Sequence, residues 1–170
     1  IQTLHIPVIG LEIGTMSLVG RFIGARDTDS VSDSVFSGLL LASSYASVAA
    51  IAFLFATHAM VLIFLEPNSS TATLNLAIWG TQLNAFIIFI ISWSGILGGA
   101  LRGAGDTYGA MTILATFWWF QFFLMFILVR LVKLAPDDVL SIHVFSSPLL
   151  LIAMMIRFRS GVWRKFDLTE

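Results

Sequence analysis

Five stretches of this chain are apolar over roughly the ~20 residues that a helix needs to cross a bilayer, and short polar breaks separate them. They cover residues 1–20, 35–65, 74–101, 109–134 and 139–157, and a polar tail fills 158–170. None alternates between apolar and polar positions, so barrel strands do not fit. Inside lipid the backbone must then bond within each segment, which means helices. The pattern predicts an all-α polytopic membrane protein of about five transmembrane helices.

The third stretch is the most polar within. Thr81, Asn84, Ile88, Ser92, Gly95 and Gly99 recur at three- and four-residue spacing and share one helix face. That face is expected to look into the bundle or a water-filled cleft. Gly95, Gly99 and Gly103 bare the backbone every fourth residue, the pattern that lets a neighbouring helix approach closely. Three breaks carry turn signals: Glu66-Pro67-Asn68-Ser69-Ser70, Asp27 to Ser34, and Ala135-Pro136-Asp137-Asp138. In the second, Ser30 and Asp33 have capping-box spacing. In the third, two acids stand at the start of the fifth helix, where the helix dipole favours them.

A pentapeptide repeats at two of the predicted helix ends. It reads Gly24-Ala25-Arg26-Asp27-Thr28 and again Gly103-Ala104-Gly105-Asp106-Thr107, with Arg21 and Arg102 just upstream. Arg102 and Asp106 are four apart, so they are expected either to pair locally or to anchor the corner. Two matched corners suggest a repeated helix-loop-helix unit in a transporter.

Composition agrees with a membrane setting. Hydrophobic residues make up 58% of the chain and charged residues 11%, against ~25% charged in soluble domains. Mean hydropathy is +0.93. A net charge of −1 without a basic stripe excludes nucleic-acid binding as a working hypothesis. The absence of cysteine excludes disulfides, thiolate catalysis and cysteine metal sites. Arg21, Arg26, Arg102, Arg157, Arg159, Arg164 and Lys165 fall on one side of the predicted membrane, and only Arg130 and Lys133 on the other. The positive-inside rule puts the C-terminus in the cytoplasm of a multi-pass cell-membrane protein. The chain starts at Ile1 without a methionine, and it reads as the C-terminal piece of a longer protein.

Glu12 is the one acid well inside an apolar stretch, and carboxylates there face a cavity or a partner and often bind protons or cations. It is the coupling candidate. Thr81, Gln82, Asn84, Ser92, Trp93 and Gln121 are candidates to line a substrate cavity. Trp93 and Trp118 could stack on flat cations, although Trp118 and the adjacent Trp119 fit bulk facing lipid equally well. His5, His58 and His143 sit in three different stretches without metal-ligand spacing, and no nucleophile elbow or phosphate loop occurs. No cofactor is expected beyond a coupling proton or sodium ion, and no enzyme activity.

Gly20-Arg21-Phe22-Ile23-Gly24-Ala25-Arg26-Asp27 resembles a helix-end motif of the multidrug and toxic compound extrusion (MATE) transporters. Leu101-Arg102-Gly103-Ala104-Gly105-Asp106-Thr107 resembles the family's second corner, and Arg157-Phe158-Arg159-Ser160-Gly161-Val162-Trp163 is similar to its basic ending. The resemblance implies the last five of twelve helices, an incomplete six-helix C-terminal lobe facing a missing N-terminal lobe of the same protein. It implies antiport of amphipathic organic cations under a proton or sodium gradient. One branch of the family places an aspartate before the second corner. Here that stretch reads Phe89-Ile90-Ile91-Ser92-Trp93-Ser94, which argues against sodium coupling in this lobe. The rival readings are a lipid-linked oligosaccharide flippase, which needs a basic cavity, a membrane-embedded enzyme, and a non-transporting five-helix subunit.

Overall fold

The computed structural model describes residues 5–65 and 70–165, and every regular element among them is helical. Five helices are long and apolar enough to cross a membrane: Ile6–Gly24, Thr28–Phe55, Thr71–Gly103, Thr107–Val132 and Pro136–Arg159. The chain is an all-α polytopic membrane protein.

We label the helices α1 (Ile6–Gly24), α2 (Thr28–Phe55), α3 (Thr57–Phe64), α4 (Thr71–Gly103), α5 (Thr107–Ile127), α6 (Pro136–Ser146) and α7 (Pro148–Arg159). A π-helical turn, Leu128–Val132, prolongs α5, and a short 3₁₀ turn, Val162–Lys165, follows α7. Helix α4 is the central post, against which α1, α2, α3, α5, α6 and α7 all pack. At one end of the bundle the core joins Val19, Val31, Ile96, Leu101, Met154 and Trp163. Toward the other end Val8, Ala46, Phe53, Ala85 and Ile88 form a second cluster. Helix α5 turns Trp118, Trp119, Phe122, Phe123 and Phe126 outward, as a lipid-facing surface requires.

Four helix starts, those of α2, α4, α5 and α6, lie earlier than their apolar pattern implies, and two show why. Helix α2 begins at Thr28 rather than near residue 35, because Asp27 caps it: the backbone N–H of Ser30 donates to the Asp27 carboxylate at 3.1 Å, and the Ser30 hydroxyl donates to its other oxygen. The Ser30–Asp33 box therefore does not form, and the break expected at Asp27 to Ser34 is helix from Thr28 onward. Helix α4 starts at Thr71, where the Thr73 N–H donates to Ser70 at 3.2 Å. The expected turn at 66–69 lies outside the described residues, as do residues 1–4 and the end of the tail from 166.

The second and fifth spans are each interrupted. At Ala56 the helix breaks, and the Thr57 hydroxyl donates back to the Phe53 carbonyl, a bond that bends helices. Pro148 lacks an N–H and separates α6 from α7, with the Ser147 hydroxyl donating to the His143 carbonyl at 2.9 Å. Pro136 opens α6 with Asp137 and Asp138 in its first turn.

The two pentapeptides share one pattern of backbone hydrogen bonds. In each, alanine ends a helix, the next residue takes a positive φ (Arg26 at 59°, Gly105 at 90°), and aspartate begins the next helix. The N–H of Asp27 donates to Phe22 and that of Asp106 to Leu101, each at 2.9 Å, while Arg26 and Gly105 bond to Ile23 and Arg102. This is the six-to-one and five-to-two pairing that closes a helix C-terminus. A side chain in the left-handed region costs ~1 kcal/mol that glycine avoids. Arg26→Gly is thus expected to raise stability by up to about 1 kcal/mol, and Gly105→Arg to lower it by about 1–2 kcal/mol, in denaturant unfolding of the purified protein.

Candidate functional site

Helix α1 crosses α4 in backbone contact. A methyl group on Gly99 would lie 2.6 Å from the Glu12 carbonyl oxygen, and one on Gly103 would run into the backbone of Met16. One on Gly20 would stand 3.3 Å from the Gly103 carbonyl oxygen. The glycines recur every fourth residue and so stack on one face of α4, which lets the two backbones touch. On α1, by contrast, Gly10 and Gly14 have open space beyond them.

This contact seats Glu12 over the glycine face, its carboxylate 3.1 Å from where a Gly95 methyl group would be. Arg102, in the last turn of α4, sends its side chain back along the helix. Its Nε donates to the Gly98 carbonyl at 3.1 Å and its Nη2 pairs with Glu12. Helical side chains lean toward the N-terminus, so the arginine reaches the acid without bending the backbone. The pair is mostly enclosed, with side-chain exposures of 24% and 22%. The two charges neutralise each other inside the bundle, the condition under which an intramembrane charge is tolerated.

Asp106 makes a separate pair. It is 1% exposed, caps α5 by accepting from the Gly109 N–H at 3.2 Å, and receives Arg157 Nε at 2.7 Å and Nη2 at 2.9 Å. This two-pronged contact clamps α7 to the α4–α5 corner. Gly109 leaves room for this clamp, since a methyl group on it would lie 2.5 Å from Asp106 Oδ1 and 2.7 Å from Arg157 Nε. Trp163 locks the same end. It is 2% exposed, lies stacked on Phe158, and donates its indole N–H to the Phe158 carbonyl at 2.9 Å. Arg102 and Asp106 therefore do not pair with each other. Each is taken by a helix distant in sequence. At the first corner, the Ser30 hydroxyl and then the Ser30 N–H hold the Asp27 carboxyl below its ordinary range.

Of the residues predicted to line a cavity, Asn84, Ser92, Trp93 and Gln121 take separate hydrogen-bond partners among the described residues. Thr81 and Ser92 are buried within the bundle. The Ser92 and Asn84 side chains donate to carbonyls one turn back on α4, Ile88 at 2.6 Å and Gly80 at 2.7 Å. Trp93 donates to Ser43 of α2 at 2.9 Å, and Gln121 exchanges hydrogen bonds with Ser146 of α6. Gln82 is half-buried, and Trp118 faces outward.

A groove of about 400 Å³ instead opens between α1 and α2. Leu11, Gly14 and Leu18 line it on one side and Ser30, Asp33 and Ser37 on the other, with Asp33 its one charged residue. Ser30 and Asp33 are not legible as a helix face where 27–34 is expected to be a break. Read as helix, Ser30-Asp33-Ser37 falls on one face. Among the described residues no group of histidines and acids could hold a metal ion.

A family model described as MatE matches residues 1–117 of the chain, which takes in α1 to α4 and the first half of α5. No curated protein and no solved structure matches it.

The crossing and its ion pair can be tested by stability. Gly99→Ala and Gly103→Ala are expected to cost about 1–3 kcal/mol each by overpacking, while Gly10→Ala and Gly14→Ala stay near neutral. Arg102→Gln leaves Glu12 without its counter-charge and is expected to cost about 3 kcal/mol. The double variant Glu12→Gln/Arg102→Gln should cost less than Arg102→Gln alone. A strictly additive double-mutant cycle in thermal unfolding would show the pair uncoupled.

Proposed function

This chain belongs to the MatE family, a family of transporters, and on that premise we propose that it forms part of a secondary active antiporter for amphipathic organic cations. Its five spans are the last five of twelve in this reading, and they rock against an N-terminal lobe around a central site in alternating access. The protein sits in the cell membrane with its C-terminus in the cytoplasm, in keeping with the bias of basic residues toward the corner end of the bundle.

The observation that carries the coupling assignment is the Glu12–Arg102 pair, an acid held at a helix crossing inside a membrane span. An ion that binds one of two conformations more tightly shifts the balance between them. A proton taken by Glu12 removes its attraction for Arg102 and so loosens α1 from α4. Sodium has less support, since Glu12 already has a cation beside it. The α1–α2 groove favours a cationic cargo, because Asp33 is the one charge lining it. A pyrophosphate-bearing lipid needs basic lining groups, and the groove offers none.

Full-length protein in proteoliposomes is expected to move ethidium under an imposed pH gradient. Glu12→Gln should abolish gradient-driven movement, and unchanged efflux at normal expression would remove Glu12 from the coupling role. Asp33→Asn should raise the KM for ethidium by about tenfold with little change in maximal rate, the loss of roughly one charge contact. Failure to move ethidium-like cations under either a proton or a sodium gradient would overturn the antiport reading.

A further inference from the structure

On the outer side of the bundle, α5 and α7 leave a second groove of about 370 Å³ between them. Its floor is Phe117 and Leu150, which are 9% and 6% exposed. Thr112, Thr116 and Phe120 form one wall, and Leu149 and Ala153 the other. The Thr112 hydroxyl is bonded to its own helix at the Tyr108 carbonyl, so it makes no polar demand on an occupant. Both helices belong to spans of membrane length, so the groove opens toward lipid tails.

The groove runs toward the corner end of the bundle. One turn beyond Thr112 on the same face of α5 is Tyr108, 85% exposed. One turn beyond Ala153 on α7 is Arg157, whose Nε and Nη2 hold Asp106 while Nη1 takes no part in that clamp. Arg159 and Arg164 are exposed at the same end. An apolar trough thus leads to a phenol and a guanidinium edge at the level where the spans end, with more positive charge nearby.

We propose that this groove seats one acyl chain of an anionic phospholipid, whose phosphate lies against Arg157 and Tyr108. A lipid tail gains little by exchanging other tails for an apolar wall. Selection must therefore come from the headgroup, through the attraction of arginines near the membrane surface for anionic lipid. The occupant is a lipid rather than a second protein because the arginines supply charge complementarity to a phosphate. The site makes no use of the transport reading and stands or falls apart from it.

The test is native mass spectrometry of the full-length protein in detergent, titrated in parallel with dioleoyl phosphatidylglycerol and dioleoyl phosphatidylcholine. Wild type is expected to retain one phosphatidylglycerol with a preference of about fivefold or more over phosphatidylcholine. Ala153→Phe and Thr116→Phe fill the groove from opposite walls, so either one, if the other folds poorly, is expected to remove that preference. Ile152→Phe, on the outward face of α7, should leave it intact. Equal retention of the two lipids by wild type would overturn the proposal. So would a preference that survives both groove-filling variants, or one that Ile152→Phe abolishes as well.

Discussion

A carboxylate inside an apolar span must find a counter-charge or a proton, and the way Glu12 meets that demand shapes the whole α1–α4 interface. The nearest cation, Arg102, is at the far end of a neighbouring helix. For the two to meet, α1 has to lie directly on the backbone of α4, and for that the facing turns of α4 have to be glycine. The glycine stripe, the crossing and the ion pair are one solution to one constraint. None is useful without the others: glycines alone would weaken α4, and the acid alone would be expelled from lipid.

The second pair, Asp106–Arg157, solves a different problem. The π-helical turn and the break at Ala56 give the outer half of the bundle irregular backbone, and Ser147 interrupts the fifth span midway. The corner end is instead tied by Asp106, Arg157 and Trp163, with the α1–α4 crossing beside it. The bundle therefore has a firm end and a looser one.

Much of this was legible in the sequence, and the misses have physical causes. The spans announced themselves because lipid demands long apolar runs, and the paired pentapeptides marked both corners. The glycine stripe was visible as spacing, and Glu12 as an exception. Which cation Glu12 would choose was not visible, because the pairing joins residues far apart in sequence through a crossing angle that spacing does not encode. The same holds for Asp106, whose nearest arginine in sequence is not its partner. The hydrogen bonds of the polar residues of α4 were not legible either. Serine and asparagine side chains inside a helix can bond to their own carbonyls, so polarity in a span need not mean a cavity. The groove facing Asp33 went unseen because an aspartate cap extended α2 backward through a segment whose composition reads as loop.

The corners have one property with a bearing on how such a chain can change over generations. Asp27 and Asp106 each serve two helices at once, accepting the start of one while their own N–H closes the other. Only two residues separate α4 from its cap on α5, and likewise for α1 and α2. A single inserted residue would rotate everything after it by about 100°. At the second corner that would break the bond of the Asp106 N–H to Leu101 and rotate the aromatic face of α5 away from lipid. Point substitutions can drift along the helix faces, but length at these two turns is frozen, and related genes should show gaps in their alignments nearly anywhere except there.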